Sequence, residues 1–271
     1  MPVHPRVCVS GISTWNWTLD QDLAFYEAIG VHTIGAALRK LETEGADRSV
    51  AKLAASALHI GNVIGVGPFL LDQPDTWPGQ QARARSAVET AAALDAGCLV
   101  LTTGPAGQLT WEDAADAFAR ASAPVRAAAS DAGVVLAIEH TNSLRVDVGF
   151  VHTLRDAVDL ARTLDMGVCM EINACWAERD LGATIADGVD RISLVQVSDF
   201  AIGTLSTPNR LVPGDGDIPL DRIIGQLLDA GYDGLFDLEL VGPAIEEEGY
   251  DGAVGRSVAV LGSLLARKVQ G

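Results

Sequence analysis

The sequence predicts an α/β fold, a single (β/α)8 TIM barrel spanning residues 1–271, and three observations carry the prediction. Short β-branched runs alternate along the chain with Ala- and Leu-rich stretches of helical length. The runs are too apolar to face water, as strands of a parallel sheet covered on both sides must be. No linker, repeat or low-complexity segment divides the 271 residues, a length that suits one large barrel of typically ~250 residues.

Eight strands are expected in order: RVCVSGI, HTIGAAL, HIGNVIGVG, CLVLTTG, GVVLAIE, MGVCMEI, ISLVQVS and GLFDLEL. Helices are expected between them, among others in DLAFYEAI, ARARSAVETAAALDA, TLRDAVDLARTL and PLDRIIGQLLDA. The stretch WEDAADAFARASAPVRAAASDA also reads as helix, with Pro124 expected to kink or divide it. Gly follows many of these segments (AIG, three copies of DAG, DMG), as it does where a helix stops just before a strand. Asp217 is placed to cap the last of them, with Pro219 in its first turn. A doubly wound open sheet is the competing fold. Its Gly-rich phosphate loop after the first strand is missing, since SGISTWNW does not fit GxGxxG.

Composition narrows the partners. A formal charge of −17 with scattered Lys and Arg repels polyanions, so nucleic acid is not expected. No apolar run reaches the ~18 residues of a membrane helix. The opening MPVHPRVCVS lacks a charged segment followed by an apolar one, so a secretory signal is not expected. The four cysteines show no CxxC spacing, and Cys8, Cys98 and Cys169 lie in apolar runs that suit reduced core thiols. A soluble cytoplasmic protein, alone or as a homo-oligomer, is the expectation.

In such a barrel the chemistry sits at the C-terminal ends of the strands. The fifth strand ends in Glu139, the sixth in Glu171 and the eighth in Glu239, and the seventh carries Gln196 among Ile, Leu and Val. Three carboxylates and an amide converge on one rim, with no obvious cation cluster beside them. A divalent ion relieves the repulsion, and all-oxygen ligation favours Mg²⁺ or Mn²⁺ over Zn²⁺ or Co²⁺. The competing reading is that each residue caps a helix or pairs with a surface Arg.

AGVVLAIEHTN, MGVCMEI, LVQVSD, NRLVPGDGDI and GYDGLFDLEL resemble the xylose isomerase-like TIM barrels, a group of sugar isomerases, ketose 3-epimerases, hydroxypyruvate isomerases, inosose dehydratases and endonuclease IV. The resemblance implies that Glu139 and Glu239 are metal ligands and the catalytic acid/base pair. It implies further ligands in Glu171, where Asp is usual, and in Gln196, which matches the hydroxypyruvate isomerase pattern. Arg210, before the PGxG loop, is implied to contact substrate, and Asp199 to contact substrate or support the site. The family's DxxH at the sixth strand runs here Glu171, Ile172, Asn173, Ala174, so its His is absent. The pocket beside Ala174 and Trp176 is therefore expected to be roomier and less polar.

The chemistry expected of such a site is proton transfer α to a carbonyl: isomerisation or epimerisation of a hydroxycarbonyl compound, or elimination where a β group can leave. A barrel that binds a small molecule without turning it over is the non-catalytic alternative. An abasic-site endonuclease is disfavoured, since it needs a His-rich multinuclear zinc site and the charge opposes DNA. Among the remaining residues, Trp15 and Trp17 are candidates for one pocket wall, while strand alternation turns His140 away from Glu139. His32 and His59 begin strands, at the face that serves stability.

Overall fold

The computed structural model describes residues 2–268. The eight strands are β1 (Val7–Ser10), β2 (Thr33–Ala37), β3 (His59–Val66), β4 (Leu99–Thr102), β5 (Leu136–Glu139), β6 (Gly167–Glu171), β7 (Ile192–Val197) and β8 (Phe236–Leu238). All pair in parallel in sequence order, and β8 closes on β1 through Val7–Phe236, Cys8–Asp237 and Val9–Leu238. Helices between the strands cover the outside, and the C-terminal helix Tyr250–Lys268 packs against β1 and β8. No helix among the described residues is long and apolar enough to cross a membrane.

Strand alternation produces two cores. Residues facing outward join the helices in the main core, among them Val9, Ile34, Val63, Leu101, Ile138, Met170, Val195 and Leu238. Residues facing inward form a smaller cluster of Ala37, Ile64, Cys98, Val100, Ala137, Cys169 and Leu194. Ala137, Cys169 and Leu194 lie two residues before Glu139, Glu171 and Gln196, so this apolar layer is the floor beneath the rim residues. All four cysteines are buried and free. Burial pushes the Cys98 thiol up to about 12 and those of Cys8, Cys169 and Cys175 well above their usual value, which keeps them inert packing groups.

Helix ends follow local chemistry. Thr18, Thr110 and Thr153 each accept a hydrogen bond from the backbone N–H three residues on, at 3.3, 3.2 and 3.0 Å. Asp217 does not cap the Leu220–Asp229 helix. Pro219 stands at that position, and the Asp217 carboxylate instead accepts the Ile202 N–H at 2.8 Å across the loop.

Pro124 neither divides nor stops its helix, which runs from Trp111 to Ala132. Buried residues on both sides of it (Ala117, Phe118 and Ala121; Val125 and Ala129) hold the two halves on one core, and that packing outweighs the missing N–H. Because Pro124 itself is exposed, Pro124→Ala restores the bond to the Arg120 carbonyl with little loss of burial. A gain of ~2 kcal/mol is expected in chemical denaturation; an unchanged midpoint would show that the helix already absorbs the defect.

Candidate active site and metal centre

Glu139, Glu171 and Glu239 each bring a carboxylate oxygen to one point at the C-terminal end of the barrel, all within 4.8 Å of one another. Glu139 closes β5, Glu171 closes β6, and Glu239 follows β8 directly. Gln196 on β7 pairs with Glu171 in the strand ladder, is fully buried, and contacts the Glu239 carboxylate through its amide nitrogen. Its amide oxygen has no partner. A buried amide oxygen left unpaired costs on the order of 1–3 kcal/mol, so this atom is a donor awaiting an acceptor of electron density. The four predicted ligand residues are thus together.

Arg210 stands with them, a single, largely buried cation among the carboxylates. Its guanidinium lies 2.5 Å from Glu171 and 3.3 Å from Glu239, and it also donates to the Glu239 backbone carbonyl at 3.1 Å. Burial opposes its charge, yet Glu171, Glu239 and Glu139 together more than reverse that and hold it firmly protonated. One guanidinium against three carboxylates leaves the ionised cluster two negative charges in excess, a balance that suits a divalent cation. Burial raises the Glu171 carboxyl to about 7 although Arg210 pulls it back; burial and the charges of Glu239 and Glu171 raise Glu139 well above the carboxylate range.

Glu171 is the most constrained of the three. Its Oε1 accepts the Asn173 N–H at 2.9 Å, capping the short helix Ile172–Cys175, and its own N–H donates to His140 Nε2 at 3.2 Å. The capping and Arg-pairing alternative therefore describes part of what Glu171 does, although its Arg is buried in the site rather than on the surface. His140 points away from the cavity, and burial lowers its ring to about 3, so it serves as a neutral acceptor that fixes the end of β6.

Asp199 does not face the cavity. Its carboxylate accepts the N–H groups of Phe200 (2.9 Å), Gly214 (2.8 Å) and Ile218 (3.0 Å), and its backbone pairs with Leu211. Gly214, at φ 96°, adopts the left-handed turn that aims its N–H at this carboxylate. Asp199 thus ties down the loop that carries Arg210, whose own N–H is held by the Val241 carbonyl at 2.9 Å. Trp176 is also outside the cavity, half-buried against the main core. Trp15 lines the mouth beneath the Arg39 guanidinium, 4.2 Å from its ring centroid. Trp17 packs edge-on against Phe25 and Tyr250.

Above the carboxylates opens a cavity of about 530 Å³. Its lining includes Asn142 at the end of AIEHTN and, further along the loop after β5, Leu144, Arg145 and Val148, which sequence reasoning did not single out. Nothing in that loop's local sequence marks it, since its place at the rim follows only from strand order.

The sequence profile of the xylose isomerase-like TIM barrel matches residues 23–257. The chain belongs to that family. Among solved structures it is similar to a protein from Sinorhizobium meliloti 1021, at 23% identity and TM-score 0.87 over 94% of this chain and 96% of that one. It is also similar to the IolI protein with a bound zinc atom, at 17% identity and TM-score 0.82 over 97% and 99% of the two chains. A third similar structure is the D-psicose 3-epimerase of Clostridium cellulolyticum H10, at 16% identity and TM-score 0.73 over 98% of each chain. Identities this low carry the fold alone. No curated protein matches the sequence.

Proposed function

We propose that the protein is a divalent-cation-dependent isomerase or epimerase that moves a proton at the carbon α to the carbonyl of a sugar or other hydroxycarbonyl compound. The observation that carries this reading is the convergence of the Glu139, Glu171 and Glu239 carboxylates at the floor of the cavity. The unpaired Gln196 oxygen completes an all-oxygen donor set that fits Mn²⁺ or Mg²⁺. Glu139, Glu171, Gln196 and Glu239 would hold such an ion, which would supply Lewis-acid stabilisation of negative charge on a substrate oxygen, a contribution of several kcal/mol.

The chain's own residues perform the proton transfer. Glu139 and Glu239 approach from strands three apart in the ring, with the ends of β6 and β7 between them. As the pair of carboxylates from opposite sides of the cluster, Glu139 and Glu239 are placed for one to take a proton and the other to return it. Arg210 reaches both Glu171 and Glu239 and lines the same cavity, where it can neutralise charge that develops on a substrate oxygen. A substrate with a leaving group β to the carbanion would be taken to elimination by the same residues, and product analysis distinguishes that outcome.

Manganese titration of Gln196 variants tests the reading. Gln196→Leu fills a similar volume in an apolar strand and is expected to weaken Mn²⁺ binding by roughly tenfold or more while the protein still folds. Gln196→His keeps a neutral ligand, so it retains the ion with affinity moved towards Zn²⁺ or Co²⁺. Chelation should stop exchange of the substrate α-hydrogen with solvent, and Mn²⁺ should restore it. Turnover that persists in chelator, or Mn²⁺ bound by Gln196→Leu as tightly as by the parent, overturns the assignment.

A further inference from the structure

The cavity lining combines two kinds of surface. Its floor holds the carboxylates and Arg210, and Ile12, Trp15, Leu144, Val148, Phe200 and Val241 contribute an apolar share of the remaining lining. Several polar side chains on the lining are already engaged within the protein. Asn142 accepts the Leu144 N–H at 2.9 Å, Asn209 donates to Ser206 at 3.1 Å, Asn173 donates to the Asp199 carbonyl at 3.4 Å, and Arg145 pairs with Asp147 at 2.9 Å. A chain of hydroxyl groups would have to compete with these bonds, and each hydroxyl desolvated without a partner is unfavourable.

The mouth continues the pattern. Leu144 is 48% exposed and Trp15 39%, both on the cavity lining. Val146 and Leu205, at 62% and 83%, are the sequence neighbours of the lining residues Arg145 and Ser206 on the loops after β5 and β7. Large apolar side chains gathered around one polar-floored opening mark a ligand surface more than a solvated rim.

We infer that the substrate carries an apolar body of about ring size on its hydroxycarbonyl head, rather than the polyhydroxylated tail of a simple sugar; this rests on the proton-transfer reading for the head alone. The head meets the carboxylates and Arg210, and the body lies against Trp15, Leu144 and Val148. About 530 Å³ is ample for both parts.

Calorimetric titration in the presence of Mn²⁺ tests it with hydroxyacetone and 2-hydroxyacetophenone, which share one head and differ as methyl and phenyl, and with D-fructose as the polyol. The phenyl compound is expected to bind about tenfold more tightly, or better, than either other ligand. That advantage should fall towards unity in Trp15→Ala and Leu144→Ser, with Mn²⁺ affinity unchanged. Equal binding of the phenyl and methyl compounds, tighter binding of D-fructose, or an advantage that survives both substitutions overturns the inference. Mn²⁺ binding is read separately. A phenyl preference that responds to the wall substitutions in a protein that binds no Mn²⁺ refutes the metal-dependent reading and leaves the apolar body standing.

Discussion

Replacing either Glu139 or Glu239 with Gln is expected to lower kcat by ~10²–10⁴, the range over which a positioned acid or base accelerates a proton transfer. Gln keeps the side-chain shape and one oxygen in the cluster but can neither take nor give the proton. The two carboxylates lie close enough to act on one substrate, their oxygens within 4.8 Å of each other and of Glu171. The measurement is exchange of the α-hydrogen with solvent deuterium, followed by NMR across a panel of hydroxycarbonyl compounds, with Mn²⁺ affinity determined for each variant. If each carboxylate serves one face of the substrate, exchange survives in at most one of the two variants while net conversion is lost in both. Near-parental rates in both would show that the pair does not move the proton.

How far the sequence discloses this site depends on whether the information is local. The strands and the residues at their ends are local facts, because alternation alone places Glu139 above Ala137, Glu171 above Cys169 and Gln196 above Leu194. Barrel closure then brings them to one point. Arg210 is different, since its identity is visible but its position depends on a long loop whose shape is set by three backbone amides bound to Asp199. For that reason Asp199 reads in the sequence as either a substrate contact or a support, and its three backbone partners make it a support. Trp176 misleads similarly: it is two residues from the cavity-lining Ala174, yet its ring turns onto the main core. Pro124 shows the converse, a strong local signal overridden by packing on both sides of the helix.

Asp22 and Lys40 are the case with no local signal at all, and their removal is expected to have the largest effect on stability. Asp22 lies in the helix Leu19–Ile29 and Lys40 in the helix Leu38–Thr43; the two are 2% and 7% exposed and paired at 2.5 Å. Lys40 also donates to the Thr14 hydroxyl at 2.8 Å, at the end of the turn Gly11–Thr14 after β1. Burial raises the Asp22 carboxyl to about 6 and lowers Lys40 even though each offsets the other's shift, so desolvation outweighs attraction in this pair. Such a pair adds little net stability when intact, but breaking it strands a buried charge. Asp22→Ala and Lys40→Met are each expected to cost ~3–5 kcal/mol, read as a lower denaturation midpoint at constant slope. The double replacement Asp22→Leu with Lys40→Met removes both charges and should recover most of that loss, a non-additivity that a merely packing role would not produce. The same helix sets Arg39 over Trp15, and the turn held by Lys40 carries Ile12 on the cavity wall. The stable double variant should therefore still bind Mn²⁺ at the carboxylates while discriminating less between 2-hydroxyacetophenone and hydroxyacetone. A double variant as unstable as the single ones would mean that the ion pair itself, and not the stranded charge, holds the turn after β1 in place.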